Sequence, residues 1–496
     1  MQSRRDQVQA HMFVMGRLSL GMLRDDPDAP ESAHRRTSRG VIIGLVIGVL
    51  IALIVAVYGF VVPGGADAWK TNGTLVVEEK TGARYLSLKG VLHPVLNETS
   101  AKLLAGDRMA SESVAAASIE DAPRGSTLGI VGAPDALPGT GALSRDAWSA
   151  CATRSDGAGG PASGGGGSPG AALTLAVGLP AEGRPITADR ATLIRGGARQ
   201  GSYLLWRGTR LRLDTANSSV QALGFGAATA FPVSGGFLNA LPAGPDIATP
   251  DVPDRGAKGP ALAGRPTRIG QLFDAAGGRR FLLRKEGLTP LTALESALLK
   301  GDPRTQRTAY AGGAVSVLRV GPDDVARHQA PKRARLVGAG GGAVPSAPPK
   351  AMPVAASEGV CAVTGTAGGA PSVSVVLPRA AAVGGRPLSA EPGLSAGSGV
   401  ADRVAVRPGG GALVKALSSS GAGGVYYLVT ESGAKYRVAG EEGLKQLGYS
   451  AEQAVRLPSA LLGMLATGPD LDGATLRTQG LVLNGKSVSS LESKGS

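Results

Sequence analysis

The chain has 496 residues, a formal net charge of +14, 76 glycines and 33 prolines. The glycine and proline content lies just below the low-complexity range, so most of the chain should fold, as two or three domains or one long composite domain. The charge would suit an anionic partner, but it comes without a long basic run, so solubility is the favoured explanation. Nucleic acid is therefore not expected as a partner.

The first predicted element is a helix in the arm formed by residues 1–40. Apolar residues recur there at spacings of four and three, which predicts one apolar helical face made of Val8, Met12, Met15, Leu18 and Met22. So short an arm cannot bury this face by itself. We therefore expect an amphipathic helix that lies on the lipid bilayer or against a helix of a partner.

The second predicted element is a membrane span at residues 41–62, a stretch that contains no charge and no proline. As a helix it would be about 33 Å long, enough to cross a hydrocarbon core of about 30 Å. Arg35, Arg36 and Arg39 precede it, which places the N-terminus in the cytoplasm and the C-terminal part outside the cell membrane. A cleaved signal peptide would have a shorter apolar run, closer to the start of the chain.

Four later segments share a pattern in which glycine precedes a basic residue and, in three of them, an aromatic residue. These segments are Gly82–Leu86, Gly278–Leu282, Gly433–Arg437 and the looser Gly208–Arg212. Each predicts a β-hairpin whose turn requires the glycine. A short helical run that ends near a glycine follows each hairpin, at residues 100–107, 232–241, 296–302 and 458–465. None of these units is large enough to bury its own core, so all four should dock on other segments.

Two intervening segments with short β-like runs are the candidates for a composite central core. The predicted fold is α+β: an arm at 1–40, a span at 41–62, repeats at 63–109, 196–250, 251–312 and 421–471, core parts at 110–195 and 313–420, and a flexible tail at 472–496. Glycine-rich linkers are expected at 157–170 and 338–349. Cys151 and Cys361 lie in different core parts, on the side of the membrane where disulfides persist, so we predict a bridge between them; two unpaired buried thiols are the alternative.

The end of the chain fits the phosphate-loop pattern G-x-x-x-x-G-K-[ST] at Gly480, Gly485, Lys486 and Ser487. A working phosphate loop follows a buried strand and opens a helix, but very few residues remain after Ser487. We interpret the match as chance. The sequence predicts no catalytic residue, no metal site and no cofactor, with ATP as a ligand only under the alternative interpretation.

The opening hundred residues resemble EccB, a core membrane subunit of the actinobacterial ESX, or type VII, secretion machine. The resemblance rests on SRRDQVQAHMFVMGRLSLGMLRDDPDAP, on RRTSRG before the span and on WKTNGTLVVEEKTGARYLSLKGVLHPVLNETSAKLLAG after it, and it continues more loosely through the repeats. It implies a structural subunit whose elongated exterior carries repeats around a central β-containing core.

The same resemblance implies partners. These would be the FtsK/SpoIIIE-like motor ATPase EccC, the membrane subunits EccD and EccE, and further copies of the chain in a homodimer or higher homo-oligomer. Members of the family have been described as ATPases, so ATP hydrolysis outside the membrane is one alternative function. A cell-wall-binding module is a second alternative.

Overall fold

The computed structural model describes residues 4–23, 33–61, 67–155, 170–197, 200–331, 343–365, 370–387, 393–397, 399–417, 424–483 and 486–487. The chain divides into two compact units, Met1–Trp69 and Lys70–Ser496. The second is called the large unit below.

The first unit consists of two helices, α1 at Arg4–Leu23 and α2 at Ala33–Val61. Within α2, residues Thr37–Val57 are long and apolar enough to cross a membrane, with a mean hydropathy of 3.2 and none of the stretch buried. The predicted span is therefore present as a helix. Its helix begins at Ala33, before the predicted limit of the span, so the preceding arginines belong to the same helix. Val62 lies outside the described residues.

The helix predicted in the arm is present, but its amphipathic character was predicted wrongly. The predicted face of α1 is exposed, as are Phe13 and Val14, which are 70% and 52% exposed. At 3.6 residues per turn, Phe13 lies about 160° around the helix from Met15. Arg4 falls within the predicted apolar face. Apolar and polar side chains are therefore mixed around the helix. The predicted face included only the apolar residues spaced by three or four and left out the others.

All four predicted repeats are present in the large unit, and each is built on one topology. Three antiparallel strands are followed by a helix and then by a fourth strand, which pairs in parallel with the first. Repeat 1 contains β1 Leu75–Glu78, β2 Arg84–Leu88, β3 Val91–Pro94, α3 Glu98–Ala105 and β4 Ser111–Val114; β5 Gly129–Ile130 follows it. Repeat 2 contains β9 Arg190–Arg195, β10 Ser202–Trp206, β11 Thr209–Arg212, α4 Ser219–Ala222, β12 Phe231–Pro232 and α5 Gly235–Ala240.

The other two repeats have the same strand order. Repeat 3 contains β13 Leu272–Ala275, β14 Arg279–Arg284, β15 Gly287–Leu291, α6 Ala293–Gly301, β16 Leu318–Arg319 and α7 Pro322–His328. Repeat 4 contains β22 Ala412–Leu417, β23 Val425–Val429, β24 Ala434–Val438, α8 Gly440–Gln446, β25 Val455–Pro458, α9 Ser459–Leu462 and β26 Ala466–Thr467. Short 3₁₀ helices lie at Ala68–Lys70, Ala116–Ile119, Thr140–Ala142, Ala276–Gly278, Ala380–Ala382 and Ala451–Gln453, and a π-helix at Thr305–Ala309.

The glycine of each shared pattern lies in a hairpin turn, as predicted. Gly82, Gly208, Gly278 and Gly433 have φ values of 71°, 73°, 72° and 82°, a region that side chains other than hydrogen disfavour. In repeats 1 and 3 this turn joins strands one and two, whereas in repeats 2 and 4 it joins strands two and three. The first strands of repeats 2 and 4 therefore lie inside segments predicted as core, and the limits at 196 and 421 were set too late.

A seven-stranded sheet forms the centre of the large unit. Its strands are β6 Trp148–Arg154, β7 Ala171–Ala176, β8 Arg184–Pro185, β18 Val360–Gly365, β19 Ser372–Leu377, β20 Arg386–Pro387 and β21 Arg403–Ala405, in the order β20-β21-β7-β6-β18-β19-β8. The two core parts thus pair along β6 and β18 in the middle of one sheet. Two further strands in the segments predicted as core are not part of the central sheet. The strand β5 pairs with β27, at Leu481–Leu483, and β16 pairs with β13 of repeat 3.

Repeats 2 and 4 pack directly against the central sheet. Alternate residues of a strand point to opposite faces, so one face of each repeat contacts the central core and the other contacts an outer repeat. In β10, Leu205 belongs to the central core cluster, which includes Trp148, while Leu204 belongs to the cluster that includes Leu298 of repeat 3. In β22, Val414 faces the same central core and Leu413 faces repeat 1. The contacts therefore run in the order repeat 1, repeat 4, central sheet, repeat 2, repeat 3.

The predicted flexible tail at 472–496 is ordered in its first part, so that prediction was wrong for residues 472–483. They form α10 at Gly473–Gln479 and β27 at Leu481–Leu483, and β28 follows at Lys486–Ser487. Leu476 is fully buried. The linker predicted at 338–349 is also partly packed, since the Leu294 backbone donates to Ser346 O at 3.1 Å. Residues 157–169 and 338–342 lie outside the described residues.

Candidate assembly surfaces

The membrane helix offers an apolar surface with two glycines at which another helix can come close to the backbone. Each large apolar residue described between Val41 and Val57 is more than half exposed. A Cβ atom added at Gly44 or Gly48 would meet nothing within 4 Å. Small residues four positions apart allow another helix to approach the backbone closely in a bilayer. This face of α2 therefore suits lipid and a neighbouring helix.

The α1 helix offers a second apolar surface. Val8, Met12, Met15, Leu18 and Met22, the predicted contact residues, are 52–86% exposed. Phe13 projects on the opposite side, so a single flat membrane surface cannot cover both. A helix that carries apolar side chains on several sides is covered best by other helices.

The predicted bridge between the two core parts is present. Cys151 in β6 and Cys361 in β18 are joined by a disulfide and lie directly opposite each other in the antiparallel ladder. Both are buried, and their Cα atoms are 4.0 Å apart. The bridge therefore fixes the strand pair on which repeats 2 and 4 dock.

A buried ion cluster that was not predicted from the sequence lies at the end of α6, where repeat 3 meets repeat 2. Arg255 Nη1 donates to Asp302 Oδ2 at 2.7 Å, and Arg304 Nη2 lies 3.0 Å from the same oxygen. Burial alone would raise the pKa of Asp302, but the hydrogen bonds from Arg304 and Arg255 outweigh it and lower that pKa. The local sequence places Arg304 two positions after Asp302, but the buried partner Arg255 lies 47 positions earlier and has no local signal.

A partly buried cation supports repeat 4. Lys435 Nζ donates to Leu462 O at 2.6 Å and lies 3.4 Å from Leu465 O. Burial lowers the pKa of this lysine. Lys435 is the basic residue of the shared pattern, and here it caps carbonyl groups at the end of α9.

The phosphate-loop match adopts a different local structure from a phosphate loop. Gly480 follows α10 with a φ of 73°, and Lys486–Ser487 form β28, which pairs with β27 as an antiparallel hairpin. A phosphate loop has the first turn of a helix at the lysine and serine positions. Gly485 lies outside the described residues.

Within the described residues, no group of three His, Cys, Asp or Glu side chains is placed to hold a metal ion. His93 instead lies with its Nδ1 3.0 Å from Ser126 O. A cavity of about 10 Å³ lies beside β9 and is lined in part by Thr192, Phe225 and Met352. That volume is close to the minimum that holds one water molecule.

The family model described as "Type VII secretion system ESX-1, transport TM domain B", EccB, matches residues 1–481. The chain belongs to the EccB family. Among curated EccB proteins, the "ESX-3 secretion system ATPase EccB3" of Mycolicibacterium smegmatis is 30% identical over 487 residues, which cover 94% of this chain and 89% of the relative. The Mycobacterium tuberculosis protein of the same name is 28% identical over 502 residues, 95% of this chain and 88% of the relative.

Solved EccB structures share the fold. The structure of the EccB3 dimer from the ESX-3 core complex has a TM-score of 0.59 and 27% identity, over 81% of this chain and 98% of that one. A chain of the intact ESX-5 inner membrane complex has a TM-score of 0.62 at 24% identity, over 96% of this chain and 95% of that one. The EccB fold thus includes the span and the large unit described here.

Proposed function

We propose that this EccB-family chain is a single-pass structural subunit of a type VII secretion complex in the cell membrane. The observation that carries the proposal is the family match over residues 1–481, which includes both helices and all four repeats. The apolar span supports membrane insertion. The fold supports a scaffold, because its repeats build a large surface around a covalently fixed centre.

The proposed orientation has the N-terminus in the cytoplasm and the large unit outside. Arg35, Arg36 and Arg39 precede the apolar stretch, whereas Asp67 and Lys70 follow it. Lysine and arginine are retained on the cytoplasmic side during insertion. A disulfide in the large unit agrees with this orientation, because disulfides persist outside the cytoplasm.

The proposed partners are a second copy of the chain and the other membrane subunits of the complex, namely the motor ATPase EccC and the subunits EccD and EccE. A relative whose structure is called an EccB3 dimer supports self-association. Structures called ESX-5 inner membrane complexes support membership of a larger assembly. The α1 helix and the Gly44–Gly48 face of α2 are the proposed contacts within and beside the bilayer.

The test is co-purification of the membrane subunits in mild detergent with a chain that lacks residues 2–23. We expect the other subunits to be lost while the large unit remains folded, because α1 belongs to a separate compact unit. Point variants sharpen the test. Met15→Lys and Phe13→Lys should both weaken co-purification if α1 is enclosed by partner helices, whereas Arg17→Lys, which keeps a charge already present on the same helix, is the matched control. Retained co-purification after deletion of residues 2–23 would refute the proposed contact.

A second candidate function is ATP hydrolysis by the large unit. Its support is the word ATPase in the printed names of the curated relatives. The test is ATP turnover by the purified full chain, by its Lys486→Ala variant and by Lys445→Ala as an exposed lysine control. Turnover that only the first substitution abolishes would favour hydrolysis. Equal rates in all three samples would argue against a role for the phosphate-loop match.

A further inference from the structure

Residues 472–483, called the C-terminal strap below, connect repeat 4 back to repeat 1. The Asp472 side chain accepts a hydrogen bond from Ala474 N at 2.9 Å and so caps α10. The helix α10 packs against α3 of repeat 1, where Leu476 and Leu103 are fully buried in one cluster. Arg477 Nη1 also donates to Leu103 O at 3.3 Å. The strap thus contacts the first repeat directly.

The strap also completes the backbone pairing of β5. Gly129 N donates to Gly480 O and Val131 N donates to Val482 O, both at 2.9 Å. The residue between them turns to repeat 1 instead: Ile130 N donates to Ser100 Oγ at 2.9 Å. Alternate residues of β5 are therefore bound to α3 on one side and to the strap on the other.

The start of α10 lies where repeats 1 and 4 meet. Gln446 of α8 donates to Leu103 O at 3.3 Å and accepts from Arg477 at 3.2 Å when its amide is oriented to satisfy both groups. Gly473 leaves no room here, since a Cβ atom would lie 2.8 Å from Leu103 O. One carbonyl of repeat 1 is therefore shared by a residue of repeat 4 and a residue of the strap.

A second returning segment joins the other outer repeat in the same way. Ser346 O accepts from Leu294 of repeat 3, and Lys350–Ala351 form β17, which pairs in parallel with β9 of repeat 2. Met352 is buried against the central core. Both outer repeats are thus bound to their inner neighbours by a segment from later in the chain.

We propose that the C-terminal strap is a clasp that holds repeat 1 against repeat 4. Its release frees repeat 1 to move while the central sheet stays folded. Among the described buried residues of the shared cluster, repeat 1 contributes Leu103, the strand β5 that follows it contributes Ile130, and the strap contributes Leu476 and Val482. Repeat 1 is also the first repeat after the membrane span.

The test is amide hydrogen exchange on the full chain in mild detergent. A chain truncated after Leu471 and a Leu476→Asp variant are compared with a chain that lacks only residues 488–496, which retains the strap. We expect exchange in α3 and β5 to become at least about tenfold faster in the first two chains, because local openings set these rates. Exchange in β6 and β18 should be unchanged in all three.

Two results would overturn the proposal. Unchanged exchange in α3 and β5 would show that repeat 1 is held without the strap. Faster exchange in β6 and β18 as well would show that the strap belongs to the global core instead of acting as a local clasp. If the truncated chain does not fold, Gly473→Val and Arg477→Ala provide the same comparison with smaller changes. Loss of co-purification on deletion of residues 2–23 is a separate measurement, so either idea can fail alone.

Discussion

The disulfide should contribute a large part of the stability of the central sheet. Replacing both Cys151 and Cys361 with alanine removes the bridge and leaves the backbone ladder between β6 and β18 available. Both positions are buried, and alanine has no polar side-chain atom that would be left unpaired there. The expected effect is therefore mainly the release of the unfolded chain from a covalent loop.

The size of the effect follows from the sequence separation of 210 between the two cysteines. The chain-entropy relation gives a loss of about 18 cal/mol/K for a loop of that length, or about 5 kcal/mol at 25 °C. This is comparable to the whole folding free energy of many domains, about 5–15 kcal/mol. The variant should therefore unfold at a clearly lower denaturant concentration than the unaltered protein.

The assay is urea unfolding of residues 70–496, followed by the fluorescence of tryptophans that include Trp148, which is buried in the central sheet. Reductant added to the unaltered protein should reproduce the loss, and should have no effect on the double variant. Intact mass after alkylation provides the control: no label without reductant and two labels after reduction. A difference in unfolding free energy below about 1 kcal/mol would refute the entropic argument.

Three further predictions concern single contacts. Asp302→Ala leaves the buried Arg255 without its carboxylate partner and should cost about 3–5 kcal/mol in equilibrium unfolding. Adding Arg255→Met should recover part of this loss, and an equal loss in the single and double variants would contradict the prediction. Gly433→Ala places a Cβ atom 2.9 Å from a valine side chain, so it should lower the melting temperature more than Gly82→Ala, where the space is open; equal shifts would refute the difference. Burial raises the pKa of Asp472, but hydrogen bonds from the first turn of α10 outweigh it and lower that pKa. The Asp472 cap therefore stabilises the folded protein at pH values above 3.8, the ordinary pKa of an aspartate. This contribution is lost as the pH falls through the lower pKa of Asp472 in the folded state. Asp472→Ala should cost about 1 kcal/mol at pH 7 and progressively less below pH 3.8, as measured by thermal unfolding; a constant difference would exclude the carboxylate as the cause.

Much of the fold was predictable because its turns have strict chemical requirements. The hairpin glycines stood out since a positive φ strongly favours glycine, and the cysteines were the only pair available. The first strands of repeats 2 and 4 were missed because they are buried on both faces. Strands such as Ala412–Leu417 therefore lack the alternation that marks a half-buried strand.

The strap and the ion cluster could not have been predicted from local sequence. The segment 472–483 is short and mixed in character, and it is ordered by α3 of repeat 1 and by the strand β5 that follows repeat 1. Arg255, the buried partner of Asp302, is likewise distant along the chain. The apolar face predicted for α1 was wrong for a different reason. It rested on residues spaced by three and four, and it left out Phe13 on the opposite side and Arg4 within the face.

The strap also determines the sequence of events during synthesis. Leu103 and Arg477, which are hydrogen-bonded, lie 374 positions apart, so repeat 1 must wait for nearly the whole chain before its last neighbour exists. Contacts between such distant residues form slowly, because a long loop must close first. Until then the buried face of α3 and the open side of β5 are available to other chains. Under the proposed clasp, a chain that ends before residue 472 has a folded central sheet and a first repeat that lacks its last neighbour.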